Sequence, residues 1–155
     1  MHSHVELIHG CWVRQRRRHL CYLDREMACI IGAGVTGLSL LLLLVNHGVD
    51  QKTITIIDPQ FDGGDMARKW GPIQSNTPWS KTADALRRVG LHPDIPDPSG
   101  TTPLKDIADL LRRLSDSIPC TRLTGFVVHA DHSSAKDQWT VSYHTGSHIE
   151  TRSAK

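Results

Sequence analysis

The sequence predicts an α/β fold: a parallel sheet organised around a β-α-β unit, a helical middle, and an antiparallel β-meander. Three observations carry that expectation. A short apolar run, Ala28-Cys29-Ile30-Ile31, stops at a glycine-rich turn that opens the apolar segment Leu38 to Val45. A β-branched run, Thr53 to Asp58, returns within the span of about thirty residues that a β-α-β unit needs. From Arg122 onward the apolar period changes to two, with turn-rich breaks between the segments.

The elements follow in chain order. Residues 1–26 have no sustained helical or strand period and read as a flexible basic extension, with the domain running over residues 27–155. Arg14 and Arg16 to Arg18 fit a short solvated arm better than an RNA or lipid contact. His2, His4 and His9 have no carboxylate or thiol at metal-binding spacing, so no metal is expected. Ala28 to Ile31 is the first strand, and the helix behind it should stop near Asn46-His47-Gly48, where Gly48 takes the left-handed conformation at low cost. Thr53 to Asp58 is the second strand. Residues 59–80 hold three prolines and three glycines and read as a long loop with little regular structure, a kind that is often functional.

Ser80 caps a short helix over residues 81–89, with Ala83, Leu86 and Val89 on one side and Gly90 as its stop. Residues 91–102 form a second Pro-rich loop. Thr102-Pro103 then opens a longer helix in which Leu104, Ile107, Ala108, Leu111 and Leu114 share a face, with Arg112-Arg113 near its negative end. Arg122 to Ala130 and Gln138 to His144 are strand-like, Trp139, Val141 and Tyr143 alternate onto one face, and a third strand starts at His148. The connectors Asp131–Asp137 and Thr145-Gly146-Ser147 make these strands an antiparallel meander.

The chain of 155 residues is 39% hydrophobic and 22% charged, a balance that suits one globular domain and not a disordered or collagen-like chain. Its formal charge is only +2. Five arginines against three acids fall in residues 1–26, and the thirteen bases and thirteen acids elsewhere cancel. A strongly electrostatic nucleic-acid binder is thereby excluded. Cys11, Cys21, Cys29 and Cys120 have no CxxC spacing, so neither a zinc ribbon nor a disulfide framework is indicated, and reduced thiols in the cytoplasm are the simplest account.

The motif that carries chemistry is Gly32-Ala33-Gly34-Val35-Thr36-Gly37, with Asp58 at the end of the next strand. Gly32 permits the tight turn, Gly34 lets the backbone approach a pyrophosphate, and Gly37 lets helix and strand pack closely. The helix amino end at Val35 to Leu38 presents N–H groups and a positive pole to a diphosphate. Asp58 can accept both ribose hydroxyls of an adenosine, and its charge repels a 2′-phosphate, which argues against NADP here. The plainer account is that the glycines punctuate a packed strand and helix, and Asp58 before Pro59 is a turn residue. Strand, helix, second strand and terminal acid in register favour a Rossmann-like dinucleotide site.

A membrane anchor is the other reading of this stretch, because Ala28 to Val45 is uncharged over 18 residues and follows the Arg cluster. That length is at the short limit of a span, and Gly32, Gly34, Thr36, Gly37 and Ser39 dilute its apolarity. Asn46-His47-Gly48 offers no signal-peptide cleavage site, and an anchor leaves the strand ending at Asp58 unexplained.

Ile30 to Gly37 with Asp58, then Gly63-Gly64, then a meander containing Trp139-Thr140-Val141, resembles the FAD-binding half of glutathione-reductase-type flavoproteins. Flavin monooxygenases and related FAD/NAD(P)-binding proteins share that layout. The resemblance covers residues 27 to about 150 and is specific for the glycine turn and Asp58. It implies that Gly32 to Gly37 and Asp58 hold the ADP part of FAD, with Gly63, Gly64 and Arg68 at positions comparable to the family's Gly-Gly segment and nearby Arg. The implied protein is a flavin-dependent oxidoreductase, monooxygenase-like, with NADH or NADPH as reductant and a small-molecule substrate that the resemblance does not identify. In the family an apolar strand with an Ala-Thr-Gly turn follows the meander, and a later Gly-Asp segment holds the ribityl side of the flavin. Thr151 to Lys155 stand where that strand would begin, so the chain reads as the front portion of a longer flavoprotein, truncated at its C-terminus. The alternative is a non-catalytic ADP- or NAD-binding module or relict fragment.

Trp70, Gln74, Ser75, Asn76 and Trp79 could stack on or hydrogen-bond a flavin or substrate, although loop aromatics more often fill a local core. Arg68 or Lys69 could neutralise the diphosphate or simply face solvent. His129, His132, His144 and His148 have no Ser/Asp or Cys/His spacing around them, so no catalytic base or nucleophile is assigned.

Overall fold

A computed structural model describes residues 5–8, 11–14, 28–88, 91–93 and 99–154. The chain divides into two compact units, one built from residues up to Ala33, Asp50–Gln60 and Pro119–Lys155, the other from Gly34–Val49 and Phe61–Ile118.

The first unit is built mainly of strands, with a short 3-10 turn over Gln51–Thr53 before β4. Its larger sheet runs in the spatial order β1 (Val5–Ile8), β2 (Cys11–Arg14), β3 (Ala28–Ile31), β4 (Ile54–Asp58), β5 (Thr121–Thr124). The pairs β3–β4 and β4–β5 are parallel, with Ile31 opposite Ile57 and Asp58 opposite Thr124. The pairs β1–β2 and β2–β3 are antiparallel. A second sheet, β6 (Phe126–Ser133), β7 (Gln138–Thr145) and β8 (His148–Ala154), is the expected meander, antiparallel throughout. The fold is therefore α/β, with three parallel strands, β3 to β5, in a mixed sheet and a separate antiparallel meander.

Cys29, Ile31, Ile57 and Leu123 of the parallel strands form one apolar cluster with Val127, Val141, Tyr143 and Ala154 of the meander. Ile54 and Ile56, which alternate with Ile57 along β4, are fully buried too. Burial of both parities is what a parallel strand shows, since both its faces are covered. Each such aliphatic side chain contributes about 1.5–3 kcal/mol of transfer free energy.

Two expectations are corrected here. Arg122 to Ala130 is not one strand, because Gly125 divides it: β5 joins the parallel sheet and β6 starts the meander. The division has a steric cause, since a Cβ on Gly125 would lie 2.5 Å from Tyr143 Cδ2 and 2.7 Å from the His144 carbonyl oxygen. A glycine inside a strand pattern marks such a close approach. The extension also contains two backbone-paired strands, β1 and β2, where no period was read. His2, His4, His9 and Arg16 to Arg18 lie outside the described residues.

The second unit is helical. Helix α1 (Val35–Asn46) buries Leu38, Leu40, Leu41, Leu42 and Leu44, more than one stripe, as a helix covered on several sides does. Its end is a Schellman motif: the Gly48 N–H reaches the Val45 carbonyl and the Val49 N–H reaches that of Leu44, both at 3.0 Å. Within the expected loop 59–80 a short helix, α2 (Gly64–Arg68), forms instead of irregular chain. Helix α3 (Trp79–Arg88) starts before Ser80, so Ser80 lies inside it and is not its cap, while Ala83 and Leu86 are buried as expected. Val89 and Gly90 lie outside the described residues. Helix α4 (Leu104–Asp116) buries Ala108 and Leu111, and also Leu110 and Ser115.

The membrane-span reading of residues 28–45 does not hold, because that stretch is a four-residue strand, a turn and the start of a helix of 12 residues. No helix among the described residues is long and apolar enough to cross a membrane.

Candidate functional site

In the strand unit, the sequence-predicted residues Gly32, Ala33 and Asp58 come together at the carboxyl ends of β3 and β4. Gly32 has φ +93°, a conformation that a side chain strains, and its N–H bonds the Ile57 carbonyl at 2.8 Å. Ala33 is fully buried, and its N–H donates to Asp58 Oδ2 at 2.7 Å. The other carboxylate oxygen, Oδ1, accepts the Gln60 N–H at 2.8 Å. Asp58 thus ties the end of β4 to the turn that leaves β3. A carboxylate has about four lone-pair directions, so accepting backbone N–H groups does not by itself bar it from accepting ribose hydroxyls. The carboxyl end of a parallel sheet is where α/β folds bind ligands.

In the helical unit, Gly34 is the N-cap of α1, with φ −75° and ψ −176°, and no side chain caps the helix. The first turn of α1 carries no acid. Val35, Thr36 and Gly37 form that turn, so the positive end of the helix dipole is met by no acid from the helix's own cap or first turn. Gly34 forms a parallel bridge with Gly63, and a Cβ on Gly64, at φ +69°, would be 3.0 Å from Gly34 Cα. Glycine at 64 therefore lets two backbones touch. Gly34 itself differs: its φ suits any residue, and a Cβ there would meet Gly63 O and Gly64 Cα at an ordinary 3.9 Å.

Arg68 does not stand alone. Its guanidinium pairs with Asp62 at 3.4 Å and Asp65 at 3.7 Å, and Lys69 pairs with Asp65 at 2.9 Å. Asp62, which sequence reasoning passed over, also accepts the Gly64 N–H at 3.0 Å. The signal was an Asp immediately before a Gly-Gly pair, the pattern of an Asx turn to the second glycine.

The aromatic and amide residues of the 59–80 segment separate into anchors and exposed groups. Ser75 is buried, donates its N–H to the Thr102 carbonyl at 2.8 Å and exchanges hydrogen bonds with Thr77. Trp79 starts α3 and donates its N–H to the Gly100 carbonyl. Gln74 and Asn76 are exposed, and Trp70 is half-exposed. On the meander, His132 lies 4.8 Å from the Trp139 ring and 3.8 Å from Asp137. Burial and Glu150 raise the Tyr143 phenol above its usual range, as its hydroxyl donates to Glu150 at 2.8 Å. Burial likewise raises the Cys120 thiol, which does not favour a nucleophile there. No group of three or more metal-ligating side chains occurs among the described residues.

No protein-family model and no curated protein matches this sequence. Solved structures do match in fold. AlpK aligns over 86% of this chain and 30% of its own length, with a TM-score of 0.59 at 16% identity. CmlS, a flavin-dependent halogenase, aligns over 81% of this chain and 27% of its own, with a TM-score of 0.57 at 18% identity. A polycyclic ketone monooxygenase from the thermophilic fungus Thermothelomyces thermophila aligns over 81% and 21%, with a TM-score of 0.54 at 16% identity. The chain spans less than a third of each of these proteins. At such identities the likeness is one of fold alone.

Proposed function

We propose that this chain binds the ADP portion of FAD and forms the cofactor-binding part of a flavin-dependent oxidoreductase of the monooxygenase kind. One observation carries the reading: Gly34 caps α1 with no side chain, in a backbone conformation and a space that would both accept one. Neither strain nor packing asks for glycine there. Glycine is a good N-cap in its own right, and it also leaves room for an approaching anion, with which the first-turn N–H groups and the helix dipole complete their interactions. The fold likeness to CmlS, a flavin-dependent halogenase, supports a flavin as the dinucleotide.

In this reading Gly32, Ala33, Gly34, Val35, Thr36 and Gly37 supply the backbone that faces the diphosphate. Asp58 accepts the ribose hydroxyls of the adenosine, while in the helical unit Gly64 lies against Gly34 and Arg68 supplies a cation on the same short helix. A bound flavin would supply the redox chemistry. The protein's share is to bind the cofactor, orient it and exclude water.

The test is an absorbance spectrum of the purified protein before and after incubation with FAD and desalting. Retained bands near ~370 and ~450 nm, bleached by NADH or NADPH, are expected of an oxidised flavin cofactor. Tight ADP or NAD binding with no retained flavin would move the assignment to a non-catalytic nucleotide-binding module. A protein that binds none of these would overturn the dinucleotide reading itself.

A further inference from the structure

Resting on the ADP-binding reading, we infer that Asp62 acts as an internal competitor of the nucleotide diphosphate for Arg68, setting how tightly the site holds its ligand. The residues concerned all belong to the helical unit. Gly34 at the start of α1 touches the Gly63–Gly64 backbone, the Gly64 N–H is held by Asp62 Oδ1 at 3.0 Å, and Asp62 Oδ2 faces Arg68 Nη1 at 3.4 Å. A single carboxylate therefore joins the backbone against Gly34 to the cation.

The charges beside that backbone cancel. Asp62 and Asp65 face Arg68 and Lys69, and the closest of these pairs, Lys69 to Asp65 at 2.9 Å, leaves Asp62 as the acid that Arg68 does not share with Lys69. The Arg68–Asp62 pair is long for a hydrogen bond and its side chains are 43% and 38% exposed. Pairs of that kind are worth little and exchange readily. A diphosphate, with more charge and several oxygens to offer a planar guanidinium, is the stronger partner. Arg68 accordingly contributes to ligand binding less than its charge suggests, because leaving Asp62 offsets part of the gain.

Asp62→Asn is the informative substitution. The amide oxygen still accepts the Gly64 N–H, so the turn keeps its hydrogen bond, while the charge that holds Arg68 is gone. Titration of the full chain with ADP at low ionic strength should give about two- to fivefold tighter binding for Asp62→Asn than for the unsubstituted protein, the range of an exposed ion pair. Arg68→Gln should weaken binding, and the Asp62→Asn gain should vanish in the Arg68→Gln background.

The outcomes separate. If the unsubstituted protein binds ADP and Asp62→Asn binds it no tighter, the competition is refuted and the ADP site stands. If the gain persists with Arg68→Gln, Asp62 acts by direct repulsion of the anion and the inference is equally wrong. If the unsubstituted protein does not bind ADP, the site reading falls and this inference falls with it. Thermal unfolding of each variant without ligand distinguishes lost binding from lost fold.

Discussion

Asp58→Ala should destabilise the protein in the complete absence of nucleotide. The carboxylate accepts two backbone N–H groups, and they differ in what replaces it. Gln60 is exposed, so water takes over its N–H at almost no cost. Ala33 is fully buried, so its N–H loses a charged acceptor at 2.7 Å in a place that water does not fill. A buried donor left without its acceptor costs about 1–3 kcal/mol, and that is the expected loss, a sizeable part of the 5–15 kcal/mol typical of a domain. Asp58→Asn keeps one acceptor atom and should fall between the two proteins. Urea unfolding of the ligand-free proteins at neutral pH reads this as a shift of midpoint at constant slope. If Asp58→Ala unfolds within about 0.5 kcal/mol of the unsubstituted protein, below any of the large-effect mechanisms, the carboxylate does not anchor the turn and its role has to lie wholly with a ligand.

Gly125→Ala places a Cβ 2.5 Å from Tyr143 Cδ2 and 2.7 Å from the His144 carbonyl; forced repacking of that order costs about 1–3 kcal/mol, to be read as a drop in the midpoint of thermal unfolding. Tyr143→Phe removes the hydroxyl that Glu150 accepts at 2.8 Å and should cost about 0.5–3 kcal/mol at neutral pH. Because the folded phenol is raised above its usual value, the native state holds its proton more tightly. The stabilisation is therefore complete below the unfolded pKa of about 10 and is lost as pH rises through the folded value. Urea unfolding at neutral pH and above pH ~10 should show the advantage over Tyr143→Phe shrinking, and a constant difference would exclude the linkage. Gly34→Ala should cost no more than about 1 kcal/mol in urea unfolding, because its Cβ meets nothing closer than 3.9 Å and the remaining loss is that of a poorer N-cap. Gly34→Val, with two further methyls at the helix N-terminus, should lose FAD on desalting, and retained flavin in that variant would count against the diphosphate site.

What the sequence made legible was local. The end of α1 is written in Asn46-His47-Gly48, because a left-handed residue after an apolar run needs no distant partner to be inferred, and the structure closes it with the Val49-to-Leu44 bond. The strand, turn and helix from Ala28 to Asn46 were readable for the same reason. The division of Arg122 to Ala130 was not, because what decides it is the Tyr143 ring and the His144 carbonyl, some twenty residues away in the chain, pressed against Gly125. A period-two pattern says that each strand has a buried face. It does not say which sheet buries it, and here β5 and β6 answer that differently on the two sides of one residue.

The candidate site shows the same limit in its electrostatics. Gly32 and Asp58 could be placed from spacing, since a turn that needs positive φ and an acid at the end of the next strand are features of the chain itself. The state of Arg68 could not be read that way. A basic residue near a Gly-Gly pair looks like a ready partner for phosphate, but the helix α2 that was not foreseen puts Asp65 one turn before it, and the Asx turn at Asp62 brings a second carboxylate to its guanidinium. Charge on the sequence counts residues, whereas the field a ligand meets depends on which of them have already found each other. That is why the amino end of α1, whose cap has no side chain, carries the functional reading more firmly than the arginine does.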